Sequence, residues 1–251
     1  MLIRSNNRRL TVPGIAMLLS LLLLQSGVVR AISVSQIDDF EDGTLQGWEM
    51  GTTTVTADHM TNITDGGPVG VGDSYLEVTS DSSVNFGGSR LTFFNRLQWT
   101  GDYTAAGITA IAMDLKNFSP TEALNIRLAI NGGFGPNFNM TGGVFTSAAS
   151  ISLDSGSGWT RAVFSLLPGD LISISGGRGG NTTGNDVQAT LANVLELRLL
   201  NSATPDWSGL RTTATLGVDN ITAVPLPPSL VLFGSGLVAL LPRRRKQNHQ
   251  T

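Results

Sequence analysis

Cysteine is absent from all 251 residues. Neither a disulfide nor any thiol chemistry is therefore available, and an exported domain of this composition has to rely on its core, or on a bound metal, for the stability that cross-links often supply outside the cell. Histidine is almost as scarce, with His59 and His249 the only two. A single histidine in the body without a cysteine partner argues against a usual zinc site. It also argues against a hydrolytic triad, since no Gly-x-Ser-x-Gly elbow accompanies it. Long stretches of helical periodicity are missing too, which disfavours a helical fold.

Positive charge is scarce in the body of the chain. Residues 31–89 contain no Lys or Arg but hold ten acids, from Asp38 to Asp81. The whole-chain net charge of −3 hides this, because eight of the 16 basic residues sit in the two tails while all 19 acids lie between them. The body is therefore strongly acidic at 8 − 19 = −11. Such a field repels phosphates, so no nucleic-acid partner is expected, whereas solubility and divalent cations are well served.

The tails read as targeting segments. Arg4, Arg8 and Arg9 precede an apolar stretch from Ile15 to Leu24, and Val29-Arg30-Ala31 offers small or modest residues at the positions that a signal peptidase inspects. Residues 1–31 are thus expected to be a secretory signal peptide. At the other end Val224-Pro225-Leu226-Pro227-Pro228 leads into an uncharged run, 229–241, backed by Pro242 and the basic block Arg243, Arg244, Arg245 and Lys246. The prolines should halt the preceding strand. The run is near the lower limit for crossing a ~30 Å hydrocarbon core, and the basic block would stay on the cytoplasmic side. The body, 32–223, would then lie across the membrane.

Between the tails, short apolar alternations separated by Gly, Asn and Asp give the pattern of an all-β domain. Leu124, Ile126, Leu128 and Ile130 alternate with Asn125, Arg127 and Ala129, as a half-buried strand requires. Similar runs at 74–79, 90–94, 108–115, 145–153, 160–166, 194–200 and 213–223 bring the count to eight or nine strands and predict a two-sheet sandwich. One short helix is predicted over 186–192, capped by Asp186 and followed by inward-facing Leu195, Leu197 and Leu199. The glycine-rich stretches 131–143 and 173–184 are predicted loops.

The tail, through Val224-Pro225-Leu226-Pro227, Leu232-Phe233-Gly234-Ser235-Gly236-Leu237 and the Arg243 to Lys246 block, resembles the PEP-CTERM sorting signal of Gram-negative bacteria, with Leu226 where a Glu is usual. The resemblance implies a sorting signal over 224–246, a polar tail at 247–251, a transient inner-membrane anchor, and processing by an exosortase-type enzyme after signal peptidase. The cell surface or the extracellular matrix would be the destination.

The body's ends, Asp39-Phe40-Glu41-Asp42-Gly43-Thr44-Leu45-Gln46-Gly47-Trp48 and Gly217-Val218-Asp219-Asn220-Ile221, resemble carbohydrate-binding modules of the jelly-roll class. First and last strands lying side by side could hold a structural calcium, for which Glu41 and Asp219 are the first choices, with Asp39, Asp42 or Asp73 as a third side chain and the Gly43 carbonyl as a backbone ligand. Val218 and Ile221 are both apolar but of opposite strand parity, which predicts a bulge at Asp219-Asn220 that re-aims a side chain.

Sugar binding calls for an aromatic platform beside polar groups. Trp99, Tyr103 and Trp207 lie in polar, turn-like contexts and are the candidates, with Asn95, Arg96 and Asp102 as hydrogen-bonding partners. Trp48 and Trp159, set against alternating strands, are expected in the core. Nothing singles out a catalytic pair among the acids. The expectation is a non-catalytic, exported β-sandwich of structural or interaction role. The alternative is a carbohydrate-binding module attaching to exopolysaccharide, and a secreted hydrolase is a more remote option.

Overall fold

The computed structural model describes residues 32–84, 87–132, 142–174 and 186–225. The expected signal peptide, the tail beyond Pro225 and most of both glycine-rich loops lie outside the described residues. Among the described residues no helix is long and apolar enough to cross a membrane.

The chain forms a two-sheet jelly-roll sandwich of antiparallel strands. They run β1 (Ile37–Asp38), β2 (Trp48–Glu49), β3 (Met60–Ile63), β4 (Tyr75–Ser80), β5 (Thr92–Asn95), β6 (Ile108–Asn117), β7 (Leu124–Asn131), β8 (Val144–Ser147), β9 (Ile151–Leu153), β10 (Thr160–Ser165), β11 (Leu171–Ser173), β12 (Glu196–Asn201) and β13 (Ala214–Pro225). The first sheet has the order β10-β6-β13-β4-β3, with β1 also on β13. The second has the order β11-β8-β7-β12-β5-β2, with β9 also on β7. From β4 to β7 successive strands alternate between the sheets, and β12 to β13 crosses again, which is the winding of a jelly roll.

Period-two alternation builds the core. Leu124, Ile126, Leu128 and Ile130 of β7, Leu197 and Leu199 of β12, Ile111, Met113 and Leu115 of β6, and Leu216 and Val218 of β13 are fully buried between the sheets. The residues between them face outward and set the chemistry of the two outer faces. Leu195 departs from expectation: it precedes β12 and is half-buried, while Val194 enters the core in its place. The run 145–153 divides into β8 and β9, which share one edge of β7.

Helix α1 (Thr53–His59) was not anticipated, since Thr-Thr-Val-Thr favours a strand. It forms because the Thr52 side chain caps it, accepting from Val55 N, and because Thr56 Oγ1 accepts from Met50 N at 2.9 Å. Helix α2 (Val187–Leu191) is capped by Asp186, which accepts from the backbone N–H of Gln188 and Ala189 at 2.9 and 3.1 Å. β13 runs two residues past the expected boundary at 223, to Pro225, the last described residue.

The N-terminal strands are held by a buried carboxylate. Asp38 Oδ2 accepts from Trp48 Nε1 at 2.8 Å and from Trp99 Nε1 at 2.6 Å, and Tyr103 donates from its hydroxyl to the Trp99 carbonyl at 2.9 Å. All four residues are buried. Replacing Asp38 by Ala strands two indole N–H groups in the core. We expect Asp38→Ala to destabilise the fold by roughly 3 kcal/mol, and Asp38→Asn, which keeps one acceptor oxygen, to cost less. Urea unfolding of the two variants measures the difference, and equal losses would show that the indole bonds are not what matters.

Candidate functional site

The outer face of the second sheet carries the most organised polar surface. Cross-strand register sets Glu49 beside Phe94, Phe94 beside Arg198, Arg198 beside Ala129, and Ala129 beside Thr146. Glu196 accepts from Arg96 Nε at 2.6 Å and from Arg198 Nε at 2.8 Å, so one carboxylate joins two guanidiniums. Arg96 lies 3.8 Å above the Phe94 ring, and Arg198 lies 3.8 Å from the Trp207 ring centre and donates to the Trp207 carbonyl at 2.9 Å.

The segment following β12 folds back over half of this face. Trp207 packs on Ala129, Val144 and Leu200 in a small second core. Arg127 ties the same segment down, donating to the carbonyls of Ser202 and Ala203 as well as to those of Ser147 and Ala148. Burial lowers the Arg127 pKa, and the four carbonyls provide the hydrogen bonds that its buried guanidinium requires.

The uncovered half is a cleft of about 280 Å³ lined by Met50, Gly51, Gly87, Gly88, Ser89, Arg90, Thr92, Phe94, Arg198 and Ser208. Its wall is fixed by Thr92 Oγ1 donating to the Ser208 carbonyl at 2.8 Å and by Arg90 donating to the Gly209 carbonyl. Gly209 has φ +73°, and a Cβ there would meet Thr92 Oγ1 at 2.5 Å, so the turn closes against β5 only because the residue is glycine.

The expected aromatic platform is corrected. Trp99 and Tyr103 are fully buried and Trp207 is 5% exposed, so none presents a free ring face to solvent. The physical reason is that the Trp99 indole finds an internal carboxylate in Asp38, while burial raises the Tyr103 hydroxyl pKa and its proton goes to a carbonyl. Asn95 is buried and holds a turn, donating to the Gln46 carbonyl and accepting from Leu97 N. Asp102 is spent on the Ala105 backbone N–H at 2.8 Å. Of the six candidates only Arg96 and Trp207 border the outer face of the second sheet.

Trp159 is only half-buried, against the expectation of a core position. It sits with Tyr75 and Phe118 on the outer face of the first sheet, 5.3 and 6.2 Å between ring centres, and its indole donates to the Gly66 carbonyl. A Cβ at Gly217 would meet Phe118 Cε2 at 2.7 Å and Trp159 Cη2 at 2.8 Å, so the two rings cover the strand where it lacks a side chain.

The residues considered for calcium form a looser group. The register of β13 against β6 shifts between Asp219 and Thr222, and Asn220 takes φ 51°, which is the bulge expected from sequence. Asp219 is 1% exposed and accepts from Asn220 N at 2.6 Å. Its pKa is pushed up to about 7, first by burial and then by the like charges of Asp73, Asp114 and Glu41, against the Asn220 N–H that favours ionisation. Glu41 accepts from Ser74 N at 2.8 Å, and Asp73 from Val69 N at 2.6 Å.

Asp39 and Asp42 serve local turns, accepting from Glu41 N and from Thr44 N, and Gly43 makes the turn with φ 74°. Asp114, which bonds Arg161 and Asn220, was not among the sequence candidates. Among the described residues no three acidic or histidine side chains close on a common point in a way that could hold a metal ion.

No family model matches the chain, and no curated protein matches it. Among solved structures it is similar to a family 11 carbohydrate-binding module from Clostridium thermocellum, determined with a beta-1,3-1,4-mixed-linked tetrasaccharide, at 18% identity and TM-score 0.47 over 78% of this chain and 97% of that one. It is also similar to the CBM22-1 xylan-binding domain of Paenibacillus barcinonensis Xyn10C, at 13% identity and TM-score 0.43 over 78% and 100%. An exo-beta-agarase matches at 15% identity and TM-score 0.49 over 78% of this chain and 26% of that chain. Likenesses this distant say nothing about what this chain binds.

The raised pKa of Asp219 makes stability fall with rising pH. Between the unfolded value of about 3.8 and about 7 the folded chain holds a proton that the unfolded chain has released, so stability is lost across that window, by at most about 4 kcal/mol. Asp38, also raised by burial, acts in the same direction. In metal-free buffer Asp219→Asn should melt several degrees above the parent at pH 8 and show a flatter pH dependence. Calorimetry across pH 4–8 checks this, and an unchanged slope in the variant would contradict it.

Proposed function

We propose that this chain is an exported, non-catalytic glycan-binding β-sandwich whose ligand lies in the cleft over β2, β5 and β12. The observation that carries the reading is the cleft itself. At about 280 Å³ it is near the lower end of ligand sites, and it combines the hydroxyls of Ser89, Thr92 and Ser208, glycine backbone and two guanidiniums over the buried Phe94 ring. A sugar offers hydroxyls around its edge, which the hydroxyls, backbone and guanidiniums of such a lining can meet. The groups are held before any ligand arrives by the Glu196 ion pairs, the Trp207 seat and the Thr92–Ser208 bond, so little ordering entropy remains to be lost on binding.

Binding without cleavage suits this lining. Glycoside hydrolysis takes two carboxylates flanking the bond. The ten residues lining the cleft include no acid, and nearby Glu196 is bridged by Arg96 and Arg198. Export is supported by the sequence of the tails: a signal peptidase would remove residues 1–31, and an exosortase-type enzyme would process the chain at the segment beginning with Val224. The destination is the cell surface or the extracellular matrix, where an exopolysaccharide is the natural partner.

The acidic corner fits calcium in donor chemistry, since Glu41, Asp73 and Asp219 offer hard oxygen ligands and a cation would relieve their mutual repulsion. Their carboxylates do not close on a common point, so in this reading calcium binding requires them to move together. Adding millimolar calcium at pH 8 should raise the melting temperature of the parent and leave Asp219→Asn unmoved. Identical melting curves in calcium and in EDTA would remove the metal.

Affinity electrophoresis against a panel of neutral and acidic bacterial polysaccharides tests the binding. The parent chain should be retarded by at least one polymer, and Ser208→Trp, which fills the cleft from an exposed position, should lose at least tenfold in affinity while melting normally. A folded Ser208→Trp that binds as the parent does would overturn the site, and no retardation by any polymer would overturn the function.

A further inference from the structure

Body cations are few, and they are unevenly placed. The described body residues include seven Lys or Arg, and five of them, Arg90, Arg96, Arg127, Arg198 and Arg211, lie on the second sheet or at the bridge beside it. Two of these five line the cleft, and no acid lines it, although acids outnumber bases 19 to 8 across the body. Of the carboxylates around it, Glu196 is already shared between Arg96 and Arg198, Asp206 accepts from the backbone N–H groups of Trp207 and Ser208, and exposed Glu49 stands at the β2 edge. Arg90 and Arg198 therefore give the cleft a basic lining with no acid in it, on a body in which acids outnumber bases.

We propose that the cleft selects carboxylate-bearing sugars, that is, uronic-acid units or sugars carrying acidic substituents, over neutral ones. This rests on the glycan-binding reading above and names the class of glycan. A guanidinium is planar and always charged, and its paired N–H donors match the two oxygens of a carboxylate. Arg90 has five such donors and spends one on the Gly209 carbonyl. Arg198 is held rigidly between Glu196 and Trp207, so it contributes field at a fixed position. The acidity of the remaining surface adds discrimination, because a polyanion gains nothing by settling anywhere else on the molecule.

The test compares polymers that share a backbone and differ only in charge: polygalacturonate against its methyl ester, hyaluronan against its carboxyl-reduced form, and dextran sulfate against dextran. Affinity for at least one carboxylated polymer should exceed that for its neutral counterpart at least tenfold at low salt, and the gap should narrow in 0.5 M NaCl. Arg90→Gln should shrink the gap while still unfolding cooperatively and binding neutral polymers as the parent does, which separates lost charge from a lost fold. Equal binding to charged and neutral partners, or binding to neutral polymers alone, would overturn the selectivity and leave glycan binding in place. Equal binding to dextran sulfate and the carboxylated polymers would show a general polyanion site and overturn the carboxylate assignment. Binding to none of the six would overturn both readings.

Discussion

The seat of Arg198 is the constraint on which the site depends. Alternation along β12 sends Leu197 and Leu199 into the core and leaves Glu196, Arg198 and Leu200 on the outer face. There the Arg198 guanidinium meets the Glu196 carboxylate, the Trp207 carbonyl, the Trp207 ring and the Phe94 ring. A cation over an indole is worth about 0.5–2 kcal/mol depending on desolvation, and a charge-assisted hydrogen bond about 1.5–3 kcal/mol, so these contacts offset part of the freedom the segment after β12 gives up, beside the burial of Trp207 and the Arg127 hydrogen bonds. With Trp207 fixed on Ala129, Val144 and Leu200, one half of the face is closed and the other half becomes a cleft. Remove the arginine and the cleft loses one of its two cations and the hydrogen bond that seats Trp207.

Charge is sorted across the sandwich. Asp219 is buried with Asp73, Asp114 and Glu41 near enough to raise its pKa, on the side where β13 bulges. Arg90, Arg96, Arg127, Arg198 and Arg211 gather about the other sheet. Arg127 is a buried cation stabilised by carbonyls, which is costly to arrange and serves to pin the segment carrying Trp207. The structural spending on this face, on a domain without disulfides, makes sense if the face has to be rigid.

Much of the fold was legible in the sequence where alternation was long and clean. β6, β7, β12 and β13 follow from their apolar parity, the Asp186 cap from a side chain that competes for backbone N–H groups, and the bulge at Asp219-Asn220 from the parity break between Val218 and Ile221. The two-residue strands β1 and β2 were not legible, because two residues carry no period, and α1 was not, because its cap outweighs the strand preference of its threonines. The aromatic platform expected from sequence is buried for a related reason. Trp99 and Tyr103 stand in polar stretches, yet a long-range partner, Asp38, draws Trp99 inward and Tyr103 follows onto its carbonyl. Conversely, the outward parity of Glu196 and Arg198 was plain, but only the fold reveals that Phe94, Arg90 and Ser208 come to meet them.

The central claim is that ligand enters the half of the second sheet's outer face that Trp207 leaves open. Backbone amide chemical shifts recorded while a uronic-acid oligosaccharide is added test it most directly. The account predicts the largest changes at Ser89, Thr92, Phe94, Arg198 and Ser208, with Tyr75, Phe118 and Trp159 on the opposite face unmoved. Changes centred on those three aromatic residues, with the cleft silent, would contradict it.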